Sequence, residues 1–312
     1  MDASEPSQNL TPLYRLSWVM VAYTLVVILW GAWVRISGSG DGCGDHWPLC
    51  NGAAIPIGSS VKTWIEVSHR YSTALFGLLM LLQVASIFRT TTSKHPARFW
   101  ILFALLFTLT EALIGRSLVK EGLVTDSESL KRLVVMPLHL VNTSILIFSQ
   151  VMAAECIRFG ARSRLSLSSA TKRIVALVGI ALILLLTTGA IAALGAHLLP
   201  AESVLSGLQQ DFFKDSHLAV RLRILHPMAG LLVPTLLSLY IFSVGERPTN
   251  REITILVRQL SFVVAAAIVI GIVTLMSLSP VWLKLLHLTV ANVIVIVLSR
   301  LFFFCTRPPT RE

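Results

Sequence analysis

Four of the eight histidines fall within or at the ends of long apolar runs: His69, His139, His226 and His287. An ionisable side chain at membrane depth is costly and is retained where it pairs with or binds something. One such histidine alone reads as a hydrogen-bonded packing residue. Four at a single depth, two in each half of the chain, point to chemistry. Two imidazoles on facing helices of a four-helix bundle can ligate one iron from both sides of a porphyrin plane, so the set reads as two haem sites near one membrane face. Zinc suits it less well, because no Cys accompanies these residues and each pair supplies too few ligands for a closed tetrahedral site. The other histidines, His46, His95, His197 and His217, fall in segments between apolar runs.

The two sites are not equivalent. In the string Glu66-Val67-Ser68-His69-Arg70, Glu66 and His69 share a helix face, which sets a carboxylate beside the expected haem. Three residues before His226 stands Arg223, and Pro227 follows it. The first half thus has a candidate acid/base group and a reactive site; the second has a purely ligating one. The plainer role for Glu66 is a helix-start carboxylate favoured by the macrodipole. Arg70 is either an interfacial snorkelling residue or a partner for Glu66 or a porphyrin propionate. Glu111 lies roughly 10 Å deep in the third run and should face the bundle interior, paired with a cation or on a proton path. Cys43 and Cys50, with six residues between them on the outer side, can form a disulfide; a free catalytic thiol is the alternative. Cys156 and Cys305 read as inert packing thiols. Gly31, Gly38, Gly40, Gly42 and Gly44 read as opening the first outer loop through turns or close backbone approach.

These residues need elements that place them at membrane depth. The 312-residue chain is 54% hydrophobic and 13% charged, with mean hydropathy +0.76, whereas a soluble domain carries roughly 25% charged residues. A soluble enzyme, a disordered protein and a collagen-like fibre are excluded. Eight runs are long enough to cross a bilayer as helices: 16–36, 66–88, 98–118, 134–157, 173–194, 221–244, 257–279 and 282–304. They are continuous rather than alternating, which excludes an outer-membrane barrel. No cleavable leader is evident, so the first run is expected to be kept. With the N-terminus inside, fifteen of the 26 Lys and Arg fall on the inner side against six of the 16 acidic residues. The positive-inside rule then puts both termini in the cytoplasm. The net charge of +10 is a topology signal and not a nucleic-acid footprint.

Runs one to four and five to eight read as two copies of one unit. Leu138-His139-Leu140 matches Leu286-His287-Leu288, with Asn142 and Asn292 following. The expected fold is an all-α polytopic membrane protein of eight transmembrane helices. They form two four-helix bundles related by a pseudo-twofold axis along the membrane normal. The bundles are 16–157 and 173–304, flanked by a cytoplasmic segment 1–15, a linker 158–172 and a tail 305–312.

Over about residues 16–304 the chain resembles the heme A synthase family. The resemblance rests on the eight runs, the Ser37-Gly38-Ser39-Gly40…Cys43…Trp47-Pro48-Leu49-Cys50-Asn51-Gly52 loop, Glu66-x-x-His69-Arg70, and His139, His226 and His287. It implies an oxidoreductase that converts heme O to heme A for terminal oxidases by oxidising the C8 methyl to a formyl group. It further implies haem b on His226 and His287, a heme O site around His69, His139 and Arg70, and a required Glu66. The implied setting is the cytoplasmic (inner) membrane, with heme O synthase and oxidase assembly factors as partners; a homo-oligomer is left open. Residues 195–220 lack the second Cys pair of many members, and Glu111 stands where a neutral residue is expected. Two other readings fit four histidines: a di-haem, quinone-linked electron-transfer cytochrome, and a non-enzymatic haem carrier.

Overall fold

A computed structural model describes residues 10–125, 127–160, 169–245 and 251–306. These residues form ten helices and no strand. The long ones are α1 (Thr11–Ile36), α2 (Val61–Thr90), α3 (Pro96–Lys120), α4 (Leu130–Phe159) and α5 (Ser169–Leu198). Then come two short helices, α6 (Val204–Phe212) and α7 (Leu218–Leu222), and three more long ones: α8 (Leu225–Gly245), α9 (Arg251–Met276) and α10 (Val281–Thr306). Seven helices are long and apolar enough to cross a membrane, namely α1 to α5, α9 and α10, and the chain is a multi-pass membrane protein.

The helices overrun the apolar stretches because polar caps, not hydropathy, set their ends. Ser60 accepts the Thr63 N–H at 3.3 Å and starts α2 well before residue 66. His95, expected only as a loop residue, caps α3 by accepting the Ala97 N–H at 3.2 Å, with Pro96 at the first helical position, where its missing N–H costs nothing. Ser129 does the same for α4. The expected sixth run, 221–244, needs correction: the chain turns at Arg223 and Ile224, separating α7 from α8. Pro227 then sits in the first turn of α8, where a proline breaks no hydrogen bond. The preceding segment, read as loop, contains α6. Of the expected terminal and linker segments, residues 1–9, 161–168 and 307–312 lie outside the described residues, as do 246–250. So do Arg162, Arg164, Arg247, Arg307 and Arg311 of the charge count.

The core is built on α4, which packs against α1, α3, α5 and α10. Its Ile147, Val151, Met152, Ala153 and Ala154 are fully buried. Helices α1 to α4 close into a ring through the contacts α1–α2, α2–α3, α3–α4 and α1–α4. In the second half α5 packs on α8, α8 on α9 and α9 on α10, and the halves join through α4–α10, α4–α5 and α1–α10. Between membrane helices the driving force is packing and interhelical hydrogen bonding. Thr24 on α1 accordingly donates to Gln150 Oε1 on α4 at 2.9 Å, and Gln83 on α2 donates to Ser17 on α1 at 3.0 Å.

A charge pair among the described residues crosses between the halves. Arg300 Nε on α10 donates to Glu155 Oε1 on α4 at 2.8 Å, and the Glu155 side chain is wholly buried. Removing one member strands the other's charge, which costs about 3 kcal/mol or more, whereas removing both is far milder. Arg300→Leu should therefore lower the thermal midpoint of the detergent-solubilised protein clearly. The double variant Glu155→Leu/Arg300→Leu should recover most of that loss, as read by differential scanning fluorimetry.

Candidate functional site

The four span histidines sit in the first three turns of α2 (His69), α4 (His139), α8 (His226) and α10 (His287), all near the same end of their bundles. In the second half the His226 and His287 rings face each other, with centroids 6.1 Å apart and planes at 80°. A metal–imidazole bond is about 2 Å, so two imidazoles bound to one ion from opposite sides hold their centroids roughly 6 Å apart. The observed spacing fits that donor set. Nδ1 of His287 is buried without a hydrogen bond among the described residues, while Nδ1 of His226 lies 3.4 Å from the Thr188 hydroxyl. In the first half His69 Nδ1 is likewise buried and unbonded among the described residues.

Three of these rings lean on a glycine of the neighbouring helix. A Cβ at Gly31 of α1 would stand 2.9 Å from His69 Cε1. One at Gly189 of α5 would stand 3.0 Å from His226 Cε1, and one at Gly271 of α9 would stand 3.2 Å from His287 Cε1. Gly31, expected in the outer loop, lies inside α1 instead, as a seat for the first imidazole. Gly189 and Gly271, which seat the other two rings, were not singled out from the sequence. The available signal was a glycine in the middle of an apolar helical run, which usually marks close packing.

Glu66 is 3% exposed and both its oxygens are engaged. Oε1 accepts Arg70 Nη2 at 2.5 Å, and Oε2 accepts the Cys43 N–H at 2.9 Å. Glu66 lies beyond the first turn of α2, so it is not a helix-start carboxylate. Arg70 pairs with it and also donates to the His46 and Leu49 carbonyls, each at 2.7 Å. Thr63 adds a bond to the Gly42 carbonyl at 2.8 Å. A Cβ on Gly42 would come within 2.7 Å of the Thr63 nitrogen, so only glycine allows the loop so near α2. The Cys43 and Cys50 sulfurs are at bonding distance, with Cα atoms 4.4 Å apart. Trp47 reaches α3, where the Arg116 guanidinium lies 6.0 Å from its ring. The loop between α1 and α2 is thus stitched down over the first four helices by the residues that flank His69.

The second half secures its outer segment differently. Arg223, just before His226, pairs with Asp211 of α6 and donates to the Gly207 carbonyl at 2.6 Å and to Gln210 Oε1 at 3.1 Å. Burial lifts the Asp211 carboxyl above the ordinary carboxylate value, while the Arg223 charge pulls it back. His217 caps α7 and bonds the Glu128 carbonyl at 2.9 Å. His46 is exposed beside Asp45, and His197 is in the last turn of α5. Glu111 faces the interior, as its depth implies. Its partner is His139, whose Nδ1 is 3.2 Å from Glu111 Oε1, within ion-pair reach but off the line of a straight hydrogen bond.

Comparison with known proteins adds three findings. A family model described as COX15-CtaA, cytochrome oxidase assembly protein, matches residues 14–299. Proteins named Protoheme IX farnesyltransferase from two strains of Thermus thermophilus are each 36% identical, over 89% and 88% of this chain but only 46% and 45% of their own. A protein named Heme A synthase from Bacillus mycoides is 32% identical over 135 residues, 43% of this chain and 40% of its own. The chain thus spans less than half the length of these relatives.

The glycine seats give a direct test. Gly31→Leu should displace the His69 ring and Gly189→Leu the His226 ring, since each glycine already leaves only about 3 Å for a Cβ. On the sequence reading of two haem sites, each variant should lose haem from one and retain the other, as read from the pyridine haemochrome per mole of protein.

Proposed function

Because the chain belongs to the COX15-CtaA family of cytochrome oxidase assembly proteins, we propose that it is a heme A synthase, an oxidoreductase acting on heme O. The observation that carries this reading is the inequality of the two histidine pairs. Only the first has a carboxylate on the histidine's own helix, the buried Glu66 three residues before His69 and paired with Arg70; beside His226 stands Arg223, whose carboxylate partner Asp211 comes from α6. Neither a pure electron-transfer cytochrome nor a haem carrier needs a carboxylate beside one pair.

In this reading α8, 21 residues long and so about 30 Å at 1.5 Å per residue, is the eighth span. The α1–α4 and α5, α8, α9, α10 sets are then pseudo-twofold copies. The contacts α1–α10 and α4–α5 exchange under that axis, while α4–α10 lies on it. Both termini face the cytoplasm, the membrane is the cytoplasmic one, and the histidine sites lie near its outer face, where Cys43 and Cys50 form a disulfide.

His226 and His287, spaced for one ion, hold haem b, which supplies one-electron transfer. His69 and His139 hold heme O, with Arg70 near its propionates. An apolar groove between α1 and α2, lined by Val19, Tyr23, Leu75 and Leu82, leads the isoprenoid tail towards lipid. Each of two successive hydroxylations of the C8 methyl is a two-electron oxidation that draws on an external oxidant, and the resulting geminal diol loses water to leave the formyl group. Glu66, fixed by Arg70 and the Cys43 N–H, holds or takes up a proton beside the ring and stabilises positive charge that develops there. The relatives named for farnesyl transfer match this chain over less than half their length. We place that step in the part outside the match, and a heme O-producing partner upstream of this protein, with oxidase assembly downstream.

Co-expression with a source of heme O should yield a formyl-bearing haem in the extracted pigment. Unchanged haem would favour the electron-transfer or carrier reading, and conversion of protohaem to heme O would favour prenyl transfer. Glu66→Gln should keep its haem complement and form no heme A; normal heme A from this variant would show that Glu66 has no part in the reaction.

A further inference from the structure

The first-half site contains a second carboxylate, and its surroundings assign it a task. Glu111 Oε1 lies 3.2 Å from His139 Nδ1 and also accepts the Thr143 hydroxyl. Oε2 accepts Asn142 Nδ2 at 2.6 Å. His139, Asn142 and Thr143 are spaced i, i+3 and i+4 on α4, so they present one face to α3. Asn142 is itself held in place: its amide donates to the Phe107 carbonyl at 2.9 Å and its Oδ1 accepts the Thr110 hydroxyl at 2.7 Å. Among the described residues the ion-pair partner of Glu111 is this imidazole and not an Arg or Lys.

The second half is built otherwise. Its ring at the same helical position, His287, meets Gly271 of α9, and Asn292 turns back to the Leu288 carbonyl of its own helix at 2.8 Å. Among the described residues no carboxylate stands within ion-pair reach of the His287 ring as Glu111 does of His139, although neither Nδ1 makes a straight hydrogen bond. The two α4-type histidines therefore differ in what stands behind them.

We infer that Glu111 is a positioning residue for His139: it engages Nδ1, turns Nε2 towards the iron of the first-half haem, and makes that imidazole the stronger electron donor of the two α4-type ligands. A carboxylate behind a ligating histidine fixes its tautomer and ring orientation and raises its donor strength. A stronger donor favours the oxidised iron, so the first-half haem is set at a lower potential than it would have with a neutral residue at position 111. This rests on the assignment of His69 and His139 as haem ligands given above.

The test uses the full chain, purified after expression with protohaem IX and a heme O source, by redox titration followed optically and by electron paramagnetic resonance. The first-half haem is identified as the one lost in His69→Ala. Glu111→Gln, which keeps the shape and removes the charge, should retain both haems, raise the midpoint potential of the first-half haem and shift its low-spin g-values, leaving the other haem unmoved. Thr143→Val, which removes a competing donor from Oε1, should move the same haem's potential the opposite way. Potentials and g-values unchanged in both variants would overturn the inference while leaving the haem reading intact. A wild-type protein that binds no haem at the first-half pair would overturn both.

Discussion

The structure turns on the cost of keeping imidazoles inside an apolar bundle. A buried ring nitrogen without a partner loses its hydration and gains nothing in return. Several polar groups on these helices find a partner on a neighbouring helix: Thr24 meets Gln150, Ser17 meets Gln83, Asn142 meets Glu111. The buried Nδ1 atoms of His69, His139 and His287 have no hydrogen bond among the described residues. Those of His69 and His287 lie on rings that glycines have been cleared to receive, and the facing pair in the second half is set one metal's width apart. Helix packing this close is hard to keep empty of purpose, because each missing side chain forfeits contacts that would have tightened the bundle.

The rest of the molecule follows from having to hold such pairs at one depth. α4 serves both halves: its N-terminal part carries His139 and the Glu111 partners, and its C-terminal part supplies the fully buried residues against which α1 and α10 close. That C-terminal end is fixed across the halves by Glu155 and Arg300. At the histidine end each half ties its covering segment to residues beside its first histidine, by opposite means. Glu66 and Arg70 grip the first loop, whereas Arg223 grips α6 through Asp211. Beside the first histidine there is thus a carboxylate–arginine pair on one helix in the first half, and in the second an arginine whose carboxylate comes from α6.

Much of this is readable in the order of residues. Polar residues in apolar runs are conspicuous, so the four histidines, the local repeat around His139 and His287, and the inward-facing Glu111 can be picked out directly. What escapes depends on neighbours distant in the chain. Gly31 precedes a run of loop glycines and groups with them by sequence, although the helix continues to Ile36; only the ring of His69 on another helix shows its use. The turn at Arg223 is hidden because the apolar residues on either side read as one span, and α6, which supplies the partner of Arg223, is short and polar. The caps at Ser60, His95 and Ser129 lengthen helices beyond any hydropathy boundary.

Cys43 belongs to two structures at once. Its sulfur meets that of Cys50 to close the loop, and its main-chain N–H ends on the buried oxygen of Glu66. The thiol chemistry of the compartment facing that loop is therefore mechanically joined to a carboxylate at the edge of the bilayer. Cutting the sulfur link would slacken a donor that helps define where the negative charge rests, with no change to any side chain around the iron-type ligands.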